Sequence, residues 1–503
     1  MKTVAVDSGT VPVQRRALSL DALRGLAILM MVFANAMPDG LPSWMYHAQL
    51  PPPTHAFIPT LPGISWVDLV FPFFLFSMGA AIPLAISRRI EMGQSMWGAV
   101  KSVLTRGALL VCFAMYLMQI HPYVLSNDPK WQTWLLGLLG FGLLFPVLAR
   151  LPKQWTKPKK YAVRAIGWCG AILFMVLVKF PDSSGFSLYR SDDIIMILAN
   201  VAVFGGLIWL MTRDNWFLRL GIMGILIAFR LSSGGPVWSP DLSYNSPIFM
   251  PVSLSATPAG WVHSLWLISP LPWLFQMRFL QYLLIIIPGT IVGDMISKWM
   301  KNSGEDPASD HGTWSRGRKF FIPILMIIVN IVVVVGLKEQ WSLWTSALTI
   351  GLCMIGWQLV DNPEGSTEHL LNSFFKWGTY WLILGLLIEP YESGIKKDPA
   401  TVSYYFVTAG LAIFMLIALT VLIDMLDYKK PMKFLVNCGQ NPMIAYAGAD
   451  NLIPPILALS GLGIVLRYLT PTPWLGVIGD GIVTYLIALS TIVFTRKKIF
   501  LRT

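Results

Sequence analysis

The chain has 503 residues, of which 55% are hydrophobic and only 13% charged, and its formal net charge is +12. Soluble domains carry about 25% charged residues, so a water-facing globular protein is excluded. Nucleic acid is not the expected partner of the excess positive charge, because the basic residues lie in short clusters between apolar stretches.

Those stretches run to about 18–24 residues, each the length of one bilayer crossing. In hydrocarbon the backbone must satisfy its own polar groups, so each is expected to be a helix. The expected fold is all-α: a polytopic membrane helix bundle of about fourteen (12–14) spans. Residues 18–495 form one transmembrane domain between cytoplasmic tails at 1–17 and 496–503. The first tail is polar and no small-residue cleavage site follows the first apolar stretch, so no cleaved signal is expected.

The first span, 18–37, follows Arg15 and Arg16 and contains Asp21 and Arg24 on one helical face. Two readings stand: an ion pair that fixes packing at the cytoplasmic end, or an Arg24 that meets a phosphate-bearing ligand. The next connection, 38–65, is Pro-rich, lacks Lys and Arg, and holds His47 and His55, each followed by Ala. A neutral imidazole can act as base or nucleophile near pH 7; a solvated or structural histidine is the plain alternative. Asp68 stands at the mouth of the second span, 66–87, either offsetting the helix dipole or orienting one of the histidines.

Further spans are expected at 103–120, 132–150, 161–180, 193–212, 215–232, 277–298, 319–337, 342–360, 371–389, 402–425, 437–460 and 473–495. Asp192 and Asp193 open the sixth, where helix capping is as good a reading as function. The segment 262–275 is expected to be re-entrant or interfacial. Span 437–460 is interrupted by Pro442, Pro454 and Pro455, and its polar run Asn437 to Tyr446, with Asp450 and Asn451, suits a lined cavity better than a lipid face. Basic clusters near 88–101, 151–160, 298–318, 429–433 and 496–502 all fall on one side of a fourteen-span chain; Lys396 and Lys397 are outer exceptions, and 361–370 is an inner connection without a basic residue. Cys112, Cys169, Cys353 and Cys438 are widely spaced with no metal-ligand pattern, so no metal is expected. Residue chemistry alone leaves a transporter and a membrane enzyme equally open.

The run Leu18 to Ile28, with Asp21, Arg24 and Gly25, resembles the opening helix of the heparan-alpha-glucosaminide N-acetyltransferase family. Asn35 at its end, the pair His47-Ala48, and Asp68 to Pro72 follow in the family's order. Lys397, Thr401, Ser403 and Tyr404, then Gly439, Asn441 and Tyr446, resemble two late family motifs. The family's central Gly-Val-Leu-Gln-Arg is missing, and the connection after His47 is longer than in the animal enzymes. The resemblance implies transfer of an acetyl group from cytoplasmic acetyl-CoA to a sugar amine or hydroxyl on the outer side. It implies His47 as base or transient acetyl carrier, Asn35 as a donor to the carbonyl oxygen, and His55 and Asp68 as helpers. It places Asp21, Arg24, Asn441 and Tyr446 at the acetyl-CoA site. The implied partners are acetyl-CoA, a glycan acceptor and the bilayer of a bacterial inner membrane, with a homodimer left open. The alternative is a transporter or flippase for a sugar or lipid-linked sugar, which would show paired broken helices; one clearly broken helix is visible.

Overall fold

A computed structural model describes residues 16–152, 154–232, 271–302 and 312–502. The helices in chain order are α1 (Leu18–Asn35), α2 (Trp66–Glu91), α3 (Met96–Ile120), α4 (Trp131–Leu148), α5 (Lys157–Leu177), α6 (Asp193–Thr212), α7 (Trp216–Ser232) and α8 (Leu283–Asn302). They continue as α9 (Arg316–Lys338), α10 (Ser342–Val360), α11 (Ser366–Ile388), α12 (Val402–Thr420), α13 (Lys429–Gln440), α14 (Pro442–Asn451), α15 (Ile453–Leu459), α16 (Leu462–Leu469) and α17 (Pro473–Arg496). Among the described residues a one-turn helix at Pro122–Leu125, short 3-10 and π segments and isolated bridges, but no strands, accompany them.

The chain is a multi-pass integral membrane protein. Among the described residues eleven helices are long and apolar enough to cross a bilayer, and a twelfth crossing results if Pro442–Leu459 and Leu462–Leu469, bent by 93°, count as one. The expected count of fourteen exceeds this by two helices. α7 has 17 residues, and α11 carries Glu368, His369, Asn372 and Lys376 in its first half. Both still run between the two ends of the bundle. Arg219 of α7 pairs with Asp294 at one end, and Arg230 meets the Ala400 carbonyl at the other. The expected span 437–460 is broken, as its prolines imply. It breaks at Asn441 and again at Leu452, and its first part belongs to α13, which begins at Lys429. Of the expected 262–275 segment, residues 262–270 lie outside the described residues, and 271–275 form a tight turn closed by Leu271 and Phe275.

α12 is the axis of the bundle. All but one of its residues are buried, and α11, α9, α2, α1 and α8 surround it. Such all-round apolarity is what a helix enclosed by other helices needs. α1 lies against α2 on one side and crosses α13 on the other. At that crossing Gly25 and Gly439 face each other's helix so closely that a Cβ on either would overlap backbone of the partner. Small residues let helices approach in this way where the hydrophobic effect gives no drive.

The connections sort into two ends. At one, Arg150 N–H donates to the Phe500 carbonyl (2.9 Å), Arg318 Nε donates to the Leu359 carbonyl (2.6 Å), and Lys301 pairs with Glu91. At the other, Gly63 N–H donates to the Ile395 carbonyl (2.6 Å), Ser342 bonds Glu389 (3.1 Å), and Gln119 donates to the Arg190 carbonyl (3.1 Å). The 36–65 connection therefore meets the 389–401 connection at the end opposite most basic clusters.

Candidate active site at the loop end of the bundle

The 36–65 connection is folded tightly by its own polar groups. Tyr46 Oη donates to the Pro38 carbonyl (2.6 Å) and accepts from Leu41 N–H (3.0 Å). Gln49, only 2% exposed, donates from Nε2 to the carbonyls of Leu61 (3.0 Å) and Gly63 (3.1 Å). Gly63 has φ +119°, a left-handed conformation that a side chain would strain. These bonds lock a long loop and place His47 over the first turn of α2.

Asp68 is that turn's third residue and is fully buried. Ser65 caps α2 by accepting from Val67 N–H (3.2 Å), and Asp68 Oδ2 accepts from Ser65 N–H (2.8 Å), the reciprocal bond of a capping box. The same Oδ2 accepts from Ala48 N–H (3.1 Å) and Ser65 Oγ (3.3 Å). The remaining oxygen, Oδ1, lies 2.6 Å from His47 Nδ1. A carboxylate accepts, so Nδ1 carries the proton and donates it. Nε2 then carries the lone pair, and the His47 side chain is 30% exposed while Asp68 is sealed. A buried carboxylate that fixes the tautomer of a half-open imidazole is the arrangement a general base or nucleophile requires. From α12, Tyr404 Oη donates to the Asp68 main-chain carbonyl (2.7 Å), and from the 389–401 connection Lys397 Nζ comes within 3.1 Å of Nδ1 and 3.5 Å of Nε2.

The other expected residues of this end stand apart from the dyad. Asn35 is the exposed last residue of α1 and forms no hydrogen bond with His47, Asp68 or Lys397. His55 packs edge-on against Tyr46 (4.5 Å between ring centres), with Nε2 3.4 Å from Asp39 Oδ1 and not aligned for a hydrogen bond. The sequence reading had no role for Gln49, and gave Lys397 and Tyr404 none beyond their place in a motif. The bonds that involve them span twelve or more positions of the chain, and no local pattern marks them.

At the basic end, Arg24 reaches Asp21 Oδ1 (3.4 Å), the Gly439 carbonyl (3.3 Å) and the Ser77 carbonyl (3.3 Å), and Arg16 pairs with Asp21 (3.0 Å). Arg24 and Arg89 act electrostatically on Arg106, whose Nε is buried without a hydrogen-bond partner. Arg16, Arg89 and Arg150 act likewise on Arg502. Asn441 is buried here, but its amide is spent on the C-terminal tail: Nδ2 donates to the Ile499 carbonyl (2.8 Å) and Oδ1 accepts from Leu501 N–H (3.3 Å). Tyr446 lies elsewhere, donating to Asp192 Oδ2 (2.9 Å). Asp192 caps α6 through Ile195 N–H (2.8 Å), and burial pushes its carboxyl up against the pull of those two bonds. The four residues expected around one ligand are thus divided: Asp21, Arg24 and Asn441 belong to the basic end, and Tyr446 to the α6–α14 contact. The described residues contain no group of three or more His, Cys, Asp or Glu placed to hold a metal.

Comparison with known proteins finds matches over part of the chain. A family described as a domain of unknown function (DUF5009) covers residues 16–247. The heparan-alpha-glucosaminide N-acetyltransferase of Homo sapiens is 29% identical over 145 residues, 28% of this chain and 20% of its own length. That of Mus musculus is 30% identical over 141 residues, 28% of this chain and 19% of its own length. The matched region thus spans about a fifth of these relatives' length, and the chain is similar to them over it.

Proposed function

We propose that this chain is a transmembrane acetyltransferase. It takes the acetyl group of acetyl-CoA bound from the cytoplasmic side and passes it to a sugar amine or hydroxyl on the outer side. The observation that carries the reading is the buried Asp68 carboxylate holding His47 Nδ1 at 2.6 Å, with Nε2 carrying the lone pair. Acyl transfer from a thioester needs such a base, because the attacking amine or hydroxyl must lose a proton as the new bond forms. The similarity to two N-acetyltransferases over part of the chain supports the same chemistry.

The basic end supports a phosphate-bearing donor. Arg106 Nε, buried and unpartnered within the electrostatic reach of Arg24 and Arg89, suits a phosphate oxygen. Asn441 serves this end indirectly, by fixing the tail that carries Arg502. Arg24 touches α2 at Ser77, nine residues beyond Asp68. At the helical rise this is about 14 Å along the axis, a span that the flexible arm of coenzyme A can bridge. The nucleotide would stay with the arginines while the thioester reaches His47.

The purified protein should transfer label from acetyl-CoA to glucosamine, and should be stabilised against heat by acetyl-CoA through mass action. A well-folded preparation that shows neither transfer to any amino sugar nor stabilisation at millimolar acetyl-CoA would overturn the reading.

A further inference from the structure

Lys397 is a charged group of the loop end whose side-chain polar contacts among the described residues are all with the dyad. Its ammonium lies 3.1 Å from His47 Nδ1, 3.5 Å from Nε2 and 3.9 Å from Asp68 Oδ1. An Nδ1 that gives its proton to Asp68 has no lone pair left to accept one, so the 3.1 Å approach is an electrostatic contact and not a hydrogen bond. Asp68 Oδ2 is already filled by Ala48 N–H, Ser65 N–H and Ser65 Oγ, and Oδ1 by His47. Lys397 is 19% exposed, yet among the described residues no oxygen lies within hydrogen-bonding distance of its ammonium. One N–H donor can reach the Nε2 lone pair across a long 3.5 Å contact, and the ammonium's other donors meet no oxygen among the described residues.

Their position is fixed by structure on both sides. Lys396 N–H donates to Thr401 Oγ1 (3.1 Å), and Thr401 N–H donates to the Lys396 carbonyl (3.0 Å). Glu392 accepts from Val402 and Ser403 N–H (2.7 and 2.8 Å), so a carboxylate anchors the loop to the start of α12. Tyr404, one turn into α12, holds the main chain of Asp68. The ion pair with Asp68 Oδ1 (3.9 Å) adds a third tie at this partly buried place.

We propose that Lys397 is a catalytic residue of this site, the donor that stabilises the oxyanion of the tetrahedral intermediate; the assignment rests on the acetyl-transfer reading above. As the acceptor nitrogen or oxygen attacks the thioester carbonyl, the new carbon–nitrogen or carbon–oxygen bond forms and the carbonyl π pair moves onto oxygen. The acceptor's proton passes to His47 Nε2. Collapse re-forms the carbonyl and breaks the carbon–sulfur bond, and the departing thiolate takes the proton back from Nε2. The negative oxygen exists only between these events, within reach of an ammonium that stands 3.5 Å from Nε2. A charge already aimed at that oxygen costs no reorganisation when the oxygen develops.

Two measurements test this. With acetyl-CoA and glucosamine, Lys397→Met should lower kcat by about 100–1,000-fold and leave both KM values within a few-fold. Lys397→Arg should recover at least a tenth of the wild-type kcat. An unchanged kcat, or a loss confined to KM, overturns the proposal. The second measurement needs no acetyl transfer. Diethyl pyrocarbonate acylates a neutral imidazole through an oxyanion of the same kind, releasing ethanol and carbon dioxide. Its rate at His47, followed by peptide mass spectrometry above the pH where imidazole titrates, should fall about tenfold or more in Lys397→Met. Equal rates overturn the proposal whether or not the wild type transfers acetyl groups. Slower acylation in a protein that transfers none would leave Lys397 assigned and remove the acetyl-CoA reading instead.

Discussion

Asp68 does three things with two oxygens: it completes the cap of α2, holds Ala48 N–H and fixes the tautomer of His47. The chemistry is thereby attached to the helix start, and the ring cannot turn without giving up a bond of 2.6 Å. Removing the imidazole by His47→Ala should cut turnover by roughly a hundredfold or more while acetyl-CoA still raises thermal stability, a split read from kinetics and melting on one preparation. Asp68→Asn would offer Nδ1 an amide that can hold the wrong tautomer, and should cost at least as much in kcat. His55 touches Asp39 and Tyr46 instead of the dyad, so His55→Ala should leave turnover within a few-fold, with any change in the acceptor's KM. Near-normal turnover in His47→Ala with loss in His55→Ala would reverse the roles. His47 and Asp68 stand out in the sequence as polar residues in and beside one Pro-rich connection, but the residues alone leave a structural histidine and a helix-dipole carboxylate open, and the family resemblance is what singles out His47. The place of Lys397 beside the ring is not legible there, because it comes from 350 positions away.

Helices are the most legible elements, since a long apolar run in a membrane has one outcome for its backbone. Those the sequence misplaces are the ones in which polarity and length disagree. α13 opens with Lys429, Lys430 and Lys433, so apolarity marks only its second half and the helix starts eight residues before the expected span, while Pro442 marks its break from α14. Its true role lies in the crossing with α1. There Gly439 meets the Asp21 backbone and Gly25 meets Leu435, which brings the Gly439 carbonyl to Arg24. Gly439→Ala should force these helices apart and destabilise the protein by about 1–3 kcal/mol. It should also weaken stabilisation by acetyl-CoA, because Arg24 loses a partner. Gly224→Ala in α7, whose added Cβ meets nothing within 4 Å, is the control and should leave the melting temperature unchanged or higher. Equal melting of the two variants would mean that the crossing is looser than its geometry.

At the scale of the molecule the two ends differ in charge, and that difference sets the direction of the proposed reaction. Arg24 meets α2 at Ser77 and His47 meets it at Asp68, nine residues apart, so a donor entering near one and an acceptor near the other need not share an entrance. Lys and Arg cluster on the cytoplasmic side of membrane proteins, which would put the 36–65 connection outside. The position of Lys396 and Lys397 at the outer end, a departure from that bias in the sequence, has a local reason: Lys397 faces the buried Asp68. Sidedness is open to direct labelling in a background without the four native cysteines. Gln49 is too buried to report, whereas Ala56 in the same connection is exposed, and Met92, 70% exposed, marks the basic end after α2. Ala56→Cys should react with an impermeant maleimide in intact cells, and Met92→Cys only after the membrane is opened. The opposite pattern would turn the molecule over and place the base on the side of acetyl-CoA. Transfer across the bilayer would then give way to transfer within the cytoplasm. Labelling of both in intact cells would show leaky membranes, which a cytoplasmic marker protein detects, so the two orientations remain separable.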